Sequence, residues 1–241
     1  IDGEDLENIV FPEVRQAESR YMPYVLMEAI QDSAAWGAVR VIPDSQQAVD
    51  VAVEGRILHS DGEKLSLYII ARDSTGRSWL EGEYTGLASK YSYEERTRQR
   101  IDPFQAVYNR IANDLLQQQL TLANNDTREI RLVTEMKFAR SFSPDAFSEY
   151  LGSDDKSREQ IVRLPAEDDP MLQRIRKIRE RDYLFIDTLQ EHYASFNNQM
   201  GSPYQEWRRQ SYGEVIALRE LRKTAREQLI GGVAEIGRAH V

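Results

Sequence analysis

Cysteine is absent from the 241 residues. That excludes disulfides, thiolate nucleophiles and cysteine-ligated metals, and leaves the redox compartment open, since a cysteine-free chain suits cytoplasm and envelope alike. Histidine is nearly absent too, with three in the whole chain, so a histidine metal site has little material. No apolar run approaches the roughly 20 residues that cross a bilayer as a helix. The sequence holds no glycine-rich phosphate loop and no G-x-S-x-G nucleophile turn. No cofactor is expected. What is present is a globular balance, 41% hydrophobic and 29% charged, in a length that allows one domain or two.

Charge is divided along the chain. Residues 170 to 241 carry 12 Lys and Arg against 9 Asp and Glu, a balance of +3, whereas residues 1 to 169 hold −12 of a total of −9. The acidic part repels nucleic acid, which is not an expected partner.

Residues 49 to 86 read as three antiparallel strands. Val49, Val51, Val53 and Ile57 alternate with polar residues, and so do Leu65, Leu67, Ile69 and Ala71, the period of a sheet with one buried face. Asp61-Gly62 closes the first turn and is expected to supply positive φ values; Asp73-Ser74-Thr75-Gly76 closes the second, with Gly76 left-handed. Before this meander, residues 1 to 10 read as a frayed end. Pro23 marks the first turn of a helix carrying Val25, Leu26, Ala29 and Ile30, which stops near Ser33, and Val39 and Val41 alternate as a short fourth strand ending at Pro43. After the meander, Asp102 as cap and Pro103 as first residue open a helix with the stripe Val107, Ile111, Leu115 and Leu116. The expectation for residues 1–124 is an α+β domain: an antiparallel sheet of three to four strands with helices on one face.

The stretches Tyr21-Met22-Pro23-Tyr24-Val25-Leu26, Trp36-Gly37-Ala38-Val39-Arg40-Val41, Val53-Glu54-Gly55-Arg56-Ile57 and Asp102-Pro103-Phe104-Gln105-Ala106 resemble a group of uncharacterised exported proteins of proteobacteria. In topology the domain is similar to small envelope-lipoprotein domains, such as the amino-terminal domain of TolB or the LpoB-type activators of penicillin-binding proteins. The resemblance covers about half the chain and brings no catalytic residues with it. It implies a periplasmic or outer-membrane-associated binding role, with a first strand missing. Ile1 in place of Met suggests a fragment or processed chain, and leaves room for a missing upstream signal peptide or lipidated cysteine.

Residues 125–169 read as short helices and a connector. Ile130, Val133 and Met136 fit a helix; Ser143-Pro144-Asp145 starts another, which Gly152 stops; Ile161 to Leu164 form an extended apolar piece. Residues 170–234 read as a long antiparallel helical hairpin. Asp169-Pro170 opens the first arm, with Ile175, Ile178, Phe185, Ile186, Leu189, Tyr193, Phe196 and Met200 as its stripe. Gly201-Ser202-Pro203 breaks it and recaps the second arm, with Tyr204, Trp207, Val215, Leu218, Leu221, Ala225 and Leu229. Leu229 to Ala234 fits either a glycine-capped helix end or the start of a glycine-rich apolar segment. Residues 235–241 read like a translated sequencing adapter and are given no biological meaning.

Two functional readings follow. The first is a non-catalytic envelope protein acting by self-association or by a protein partner on the long helices. Phe185, Phe196, Tyr204 and Trp207 are its packing anchors, and Arg174, Lys177 and Arg181, in the basic run Arg174 to Arg181, its peripheral contact with an anionic membrane surface. The second is a hydrolase or transferase with Glu81, Glu83 or Glu167 in a cleft between the halves. His59-Ser60-Asp61 has the residue types of a triad, but adjacent residues in a turn cannot assemble one. The cluster Glu167-Asp168-Asp169 lacks the pattern of a calcium loop and supplies a helix cap in Asp169.

Overall fold

The computed structural model describes residues 12–43, 47–94 and 101–236. Residues 1–10 and the last five of the adapter-like tail therefore lie outside the described residues. The architecture is α+β. Helix α1 (Pro12–Asp32) precedes three strands, β1 (Val51–Ser60), β2 (Lys64–Asp73) and β3 (Ser78–Leu87). Helices α2 (Gln105–Leu120), α3 (Asn124–Phe142) and α4 (Pro144–Phe147) follow, then the short strands β4 (Leu151–Ser153) and β5 (Glu159–Ile161), and finally α5 (Pro170–Ile236).

The meander forms as the alternation requires. β2 lies between β1 and β3, antiparallel to both, with Val53 opposite Ala71 and Ile57 opposite Leu67. Leu65, Leu67, Ile69 and Ala71 are buried on one face with α1 and α2, in a core that takes in Met22, Val25, Val107 and Ile111. Each of the larger side chains, the Leu, Ile, Val and Met, contributes roughly 1.5–3 kcal/mol by leaving water. A second, smaller core joins α3, α4 and the start of α5 through Val133, Met136, Phe147, Leu172 and Ile175.

Four local expectations are corrected. Helix α1 begins at Pro12 and carries Pro23 in its interior, where buried Tyr21, Met22 and Val25 hold it against the core despite the lost N–H. Val39 to Val41 is not a strand: the backbone N–H and carbonyl of Val41 are both taken by the side-chain amide of Gln190, at 2.9 Å each, so a helix side chain replaces the neighbouring strand. In the first turn the Asp61 carboxylate accepts the N–H groups of Glu63 and Lys64, but neither Asp61 nor Gly62 has positive φ. Gly62 is required by space, because a Cβ there would strike the carbonyl oxygen of Arg208 and the amide nitrogen of Tyr212. Gly76 does take the left-handed conformation, at φ 89°. Gly152 does not stop a helix; it lies in β4.

The largest correction concerns the hairpin. Residues 170 to 236 form one continuous helix of 67 residues, roughly 100 Å long at 1.5 Å per residue. Asp169 caps it as expected, accepting the N–H groups of Met171 and Leu172. Pro203 sits inside it. An interior proline costs about 3 kcal/mol, yet residues on both sides of Pro203 are docked on the same body: Phe196 before it, Tyr204 and Trp207 after it. Folding the chain back at Gly201 would give up one of those two docking surfaces.

Candidate functional site

Helix α5 meets the body at a buried polar clasp. Glu18 of α1 is fully buried and accepts three hydrogen bonds: from Arg15 Nη1 at 2.5 Å, Ser60 Oγ at 2.6 Å and Tyr204 Oη at 2.6 Å. One helical turn beyond Tyr204, Arg208 is 0% exposed and pairs with Asp102 at 2.8 Å. Asp102 fixes the start of α2 as well, since its other oxygen accepts the N–H of Phe104. Burial alone would lower the Arg208 pKa, but the Asp102 carboxylate together with the oxygens of Tyr204, Tyr108 and Tyr21 outweighs it and holds the guanidinium charged. The guanidinium carbon lies 4.1 Å from the ring centroid of Tyr204 and 4.9 Å from that of Phe104, so aromatic faces take up charge that its unpaired Nε and Nη2 present. Burial likewise pushes up the phenols of Tyr21, Tyr204 and Tyr108, which stay neutral.

Further bonds tie other turns of α5 to the body. Arg40 grips Asp187 through two nitrogens, Gln47 donates to Asp182, Ser211 accepts the N–H of Gly62, and Arg219 pairs with Glu63. Beyond Arg222 no described residue of the body covers the helix. Leu221 is 69% exposed, and residues 223–228 are all exposed.

The seven interaction residues expected from the sequence separate into two groups. Tyr204 is buried, and Phe196 and Trp207 are half-buried against the main core, with Trp207 stacked on Tyr204 at 5.7 Å. Phe185 is 62% exposed. Arg174, Lys177 and Arg181 are exposed and make no ion pair among the described residues, whereas their neighbour Arg176 pairs with Glu135 and Arg179 lies over the rings of Phe138 and Tyr183. Glu18 and Arg208 were missed. Both stand on apolar stripes, Glu18 three and four residues before Tyr21 and Met22, and Arg208 four after Tyr204; a charge on the buried face of a helix is the signal that marks them.

The three candidate acids are not brought together. Glu81 and Glu83 are exposed on the outer sheet face, Glu81 bonded to Tyr68 and Glu83 to Ser66 and Thr85. The hydroxyls of Ser66 and Thr85 hold the Glu83 carboxyl below its ordinary pKa, which suits a fixed anion and not a proton donor. Glu167 is exposed in the turn before α5. His59 bonds Asp61 at 2.8 Å while Ser60 donates to Glu18, so the triad-like trio points in two directions.

A cleft of about 700 Å³ opens between α3, the end of β2, residues 47–49 and the α5 segment from Asp182 to Leu189, with Phe185 in its wall. None of the three candidate acids lines it. Compared with protein-family models, curated proteins and solved structures, the chain matches none.

Proposed function

We propose that this is a non-catalytic interaction protein of the bacterial cell envelope, in which the α+β body grips one part of a long helix and the free part joins a second copy of the chain. The observation that carries the reading is the exposure of α5 beyond Arg222, where residues 223–228 are covered by no described residue of the body. The exposed residues of α5 supply both signs, Glu220 and Glu227 with Lys223 and Arg226, together with exposed Leu221, a composition that a second copy complements. Exposed Arg174, Lys177 and Arg181, at the other end of the helix, serve as a peripheral contact with an anionic membrane surface. The resemblance to exported proteobacterial proteins supports the envelope setting.

Light scattering over a concentration series tests the association. The mass is expected to rise from 27.9 kDa toward twice that value, and to stay monomeric when Leu218 and Leu221 are both changed to Lys. A chain that remains at 27.9 kDa throughout overturns self-association.

A further inference from the structure

The cleft beside α5 is built from two kinds of surface. Phe185, Ile186 and Leu189 of α5, with Phe138 of α3 and Ala48 and Val49 before β1, give it an apolar lining. Arg72 from the end of β2, and Lys137 and Arg140 from α3, bring three cations to the same space. Among the described residues two carboxylates also line it. Asp73 accepts from the Trp79 indole, from the Thr75 hydroxyl and from the backbone N–H groups of Thr75 and Arg77, and Asp182 accepts from Gln47.

The cations are less fully used. Lys137 donates to the Ser74 carbonyl at 3.1 Å and stands 3.7 Å from Glu159, whereas only one nitrogen of Arg140 reaches Glu159, at 3.2 Å. Among the described residues Arg72 has a single loose partner, Glu81 at 3.7 Å, with both side chains about half exposed. A lysine has three donors and an arginine five, so the cleft holds a surplus of charged donors beside an apolar wall. Its volume falls within the range of small-molecule sites. Phe185, 62% exposed at its edge, is the apolar surface left for an occupant to cover.

We propose that this cleft binds an amphipathic anion, a carboxylate carried on an aliphatic chain, with the head on Arg72, Lys137 and Arg140 and the chain along Phe138, Phe185 and Leu189. Hydrogen-bond complementarity chooses the head: the unused N–H donors of Arg72, Lys137 and Arg140 match the acceptors of a carboxylate, an ammonium has no acceptor to offer them, and an alcohol offers only a neutral oxygen. The inference stands apart from self-association, since the free end of α5 takes no part in the cleft.

The probe is decanoate, titrated into the intact chain by calorimetry, with decanol, decyltrimethylammonium and acetate as comparisons and anionic phosphatidylglycerol vesicles as a separate arm. Decanoate is expected to give saturable binding, about tenfold or more tighter than decanol, with no detectable binding of acetate or of the cation. Arg72→Gln and Lys137→Gln are each expected to weaken decanoate by about three- to tenfold while leaving decanol unchanged, and Phe185→Ala to weaken both. Arg72 and Phe185 are exposed enough that their variants keep the fold, which circular dichroism checks. Equal binding of decanol and decanoate, an absence of saturable heat, or decanoate binding untouched by both charge variants overturns the proposal. Binding to vesicles without binding to decanoate overturns it too, and reassigns these cations to a membrane surface.

Discussion

Along α5, the turn from Tyr204 to Arg208 and the turns from Lys223 to Gln228 are equally helical, yet the first holds buried residues and the second holds none. Local propensity would rank them the other way. The first turn directly follows Gly201-Ser202-Pro203, the poorest helix-forming stretch of the element, and it carries a charge with no access to water. It is helical because Glu18, Asp102 and the rings of Tyr21 and Phe104 fix Tyr204 and Arg208 one turn apart. The outer turns are rich in Lys, Ala, Arg, Glu and Gln and need no such help to be locally helical, but no described residue of the body covers them.

Removing a charge breaks the comparison most sharply. Asp102→Ala leaves the Arg208 guanidinium buried without its counter-charge, and urea unfolding is expected to show a loss of about 3–5 kcal/mol. Replacing Asp102 and Arg208 together by leucine and methionine is expected to cost far less, because no charge is then stranded. On the outer turns Arg226→Ala is expected to stay within about 0.5 kcal/mol in a monomeric background.

Two glycines give a smaller contrast of opposite sign. Gly62→Ala drives a methyl group into the α5 backbone at Arg208 and Tyr212, with an expected loss of about 1–3 kcal/mol in thermal or urea unfolding. Gly213→Ala, on the helix itself with open space around its Cα, is expected to stabilise by about 0.5–1 kcal/mol.

The smallest effect concerns acid. Burial pushes the Asp61 carboxyl up, but hydrogen bonds from His59 and from the N–H groups of Lys64 and Glu63 outweigh it and hold its pKa below the ordinary range. A depressed carboxylate pKa gives stability that is complete above the unfolded value, about 3.9, and is lost as pH falls through the folded value. Because the group is partly exposed, the contribution is under about 1 kcal/mol. Asp61→Asn is expected to lower stability at pH 6 and to flatten its decline below pH 4, read from urea midpoints.

The meander was legible because its evidence is local: Leu65, Leu67, Ile69 and Ala71 alternate, and a one-residue slip would expose all four. The same local reading failed at Gly201 to Pro203, since what keeps α5 continuous comes from Glu18 and Asp102, more than 80 residues distant in sequence. Val41 failed for a like reason, its strand partner being a glutamine side chain 149 positions away. At the candidate site the basic run from Arg174 to Arg181 was readable as an amphipathic turn with outward charges. The cleft was not, because Arg72, Lys137 and Phe185 come from three elements whose meeting no spacing announces.

A single distance decides whether α5 is one rod. Leu184 and Leu221 are both exposed, lie 37 residues apart and flank Ser202 and Pro203 symmetrically. With no native cysteine in the chain, replacing these two by cysteine allows clean spin labelling and measurement by pulsed electron–electron double resonance. A continuous helix gives a separation of roughly 50–55 Å. A hairpin folded at Gly201 to Pro203 would bring the two labels to within about 10–15 Å, the spacing of packed helices plus the labels themselves, and would contradict the account.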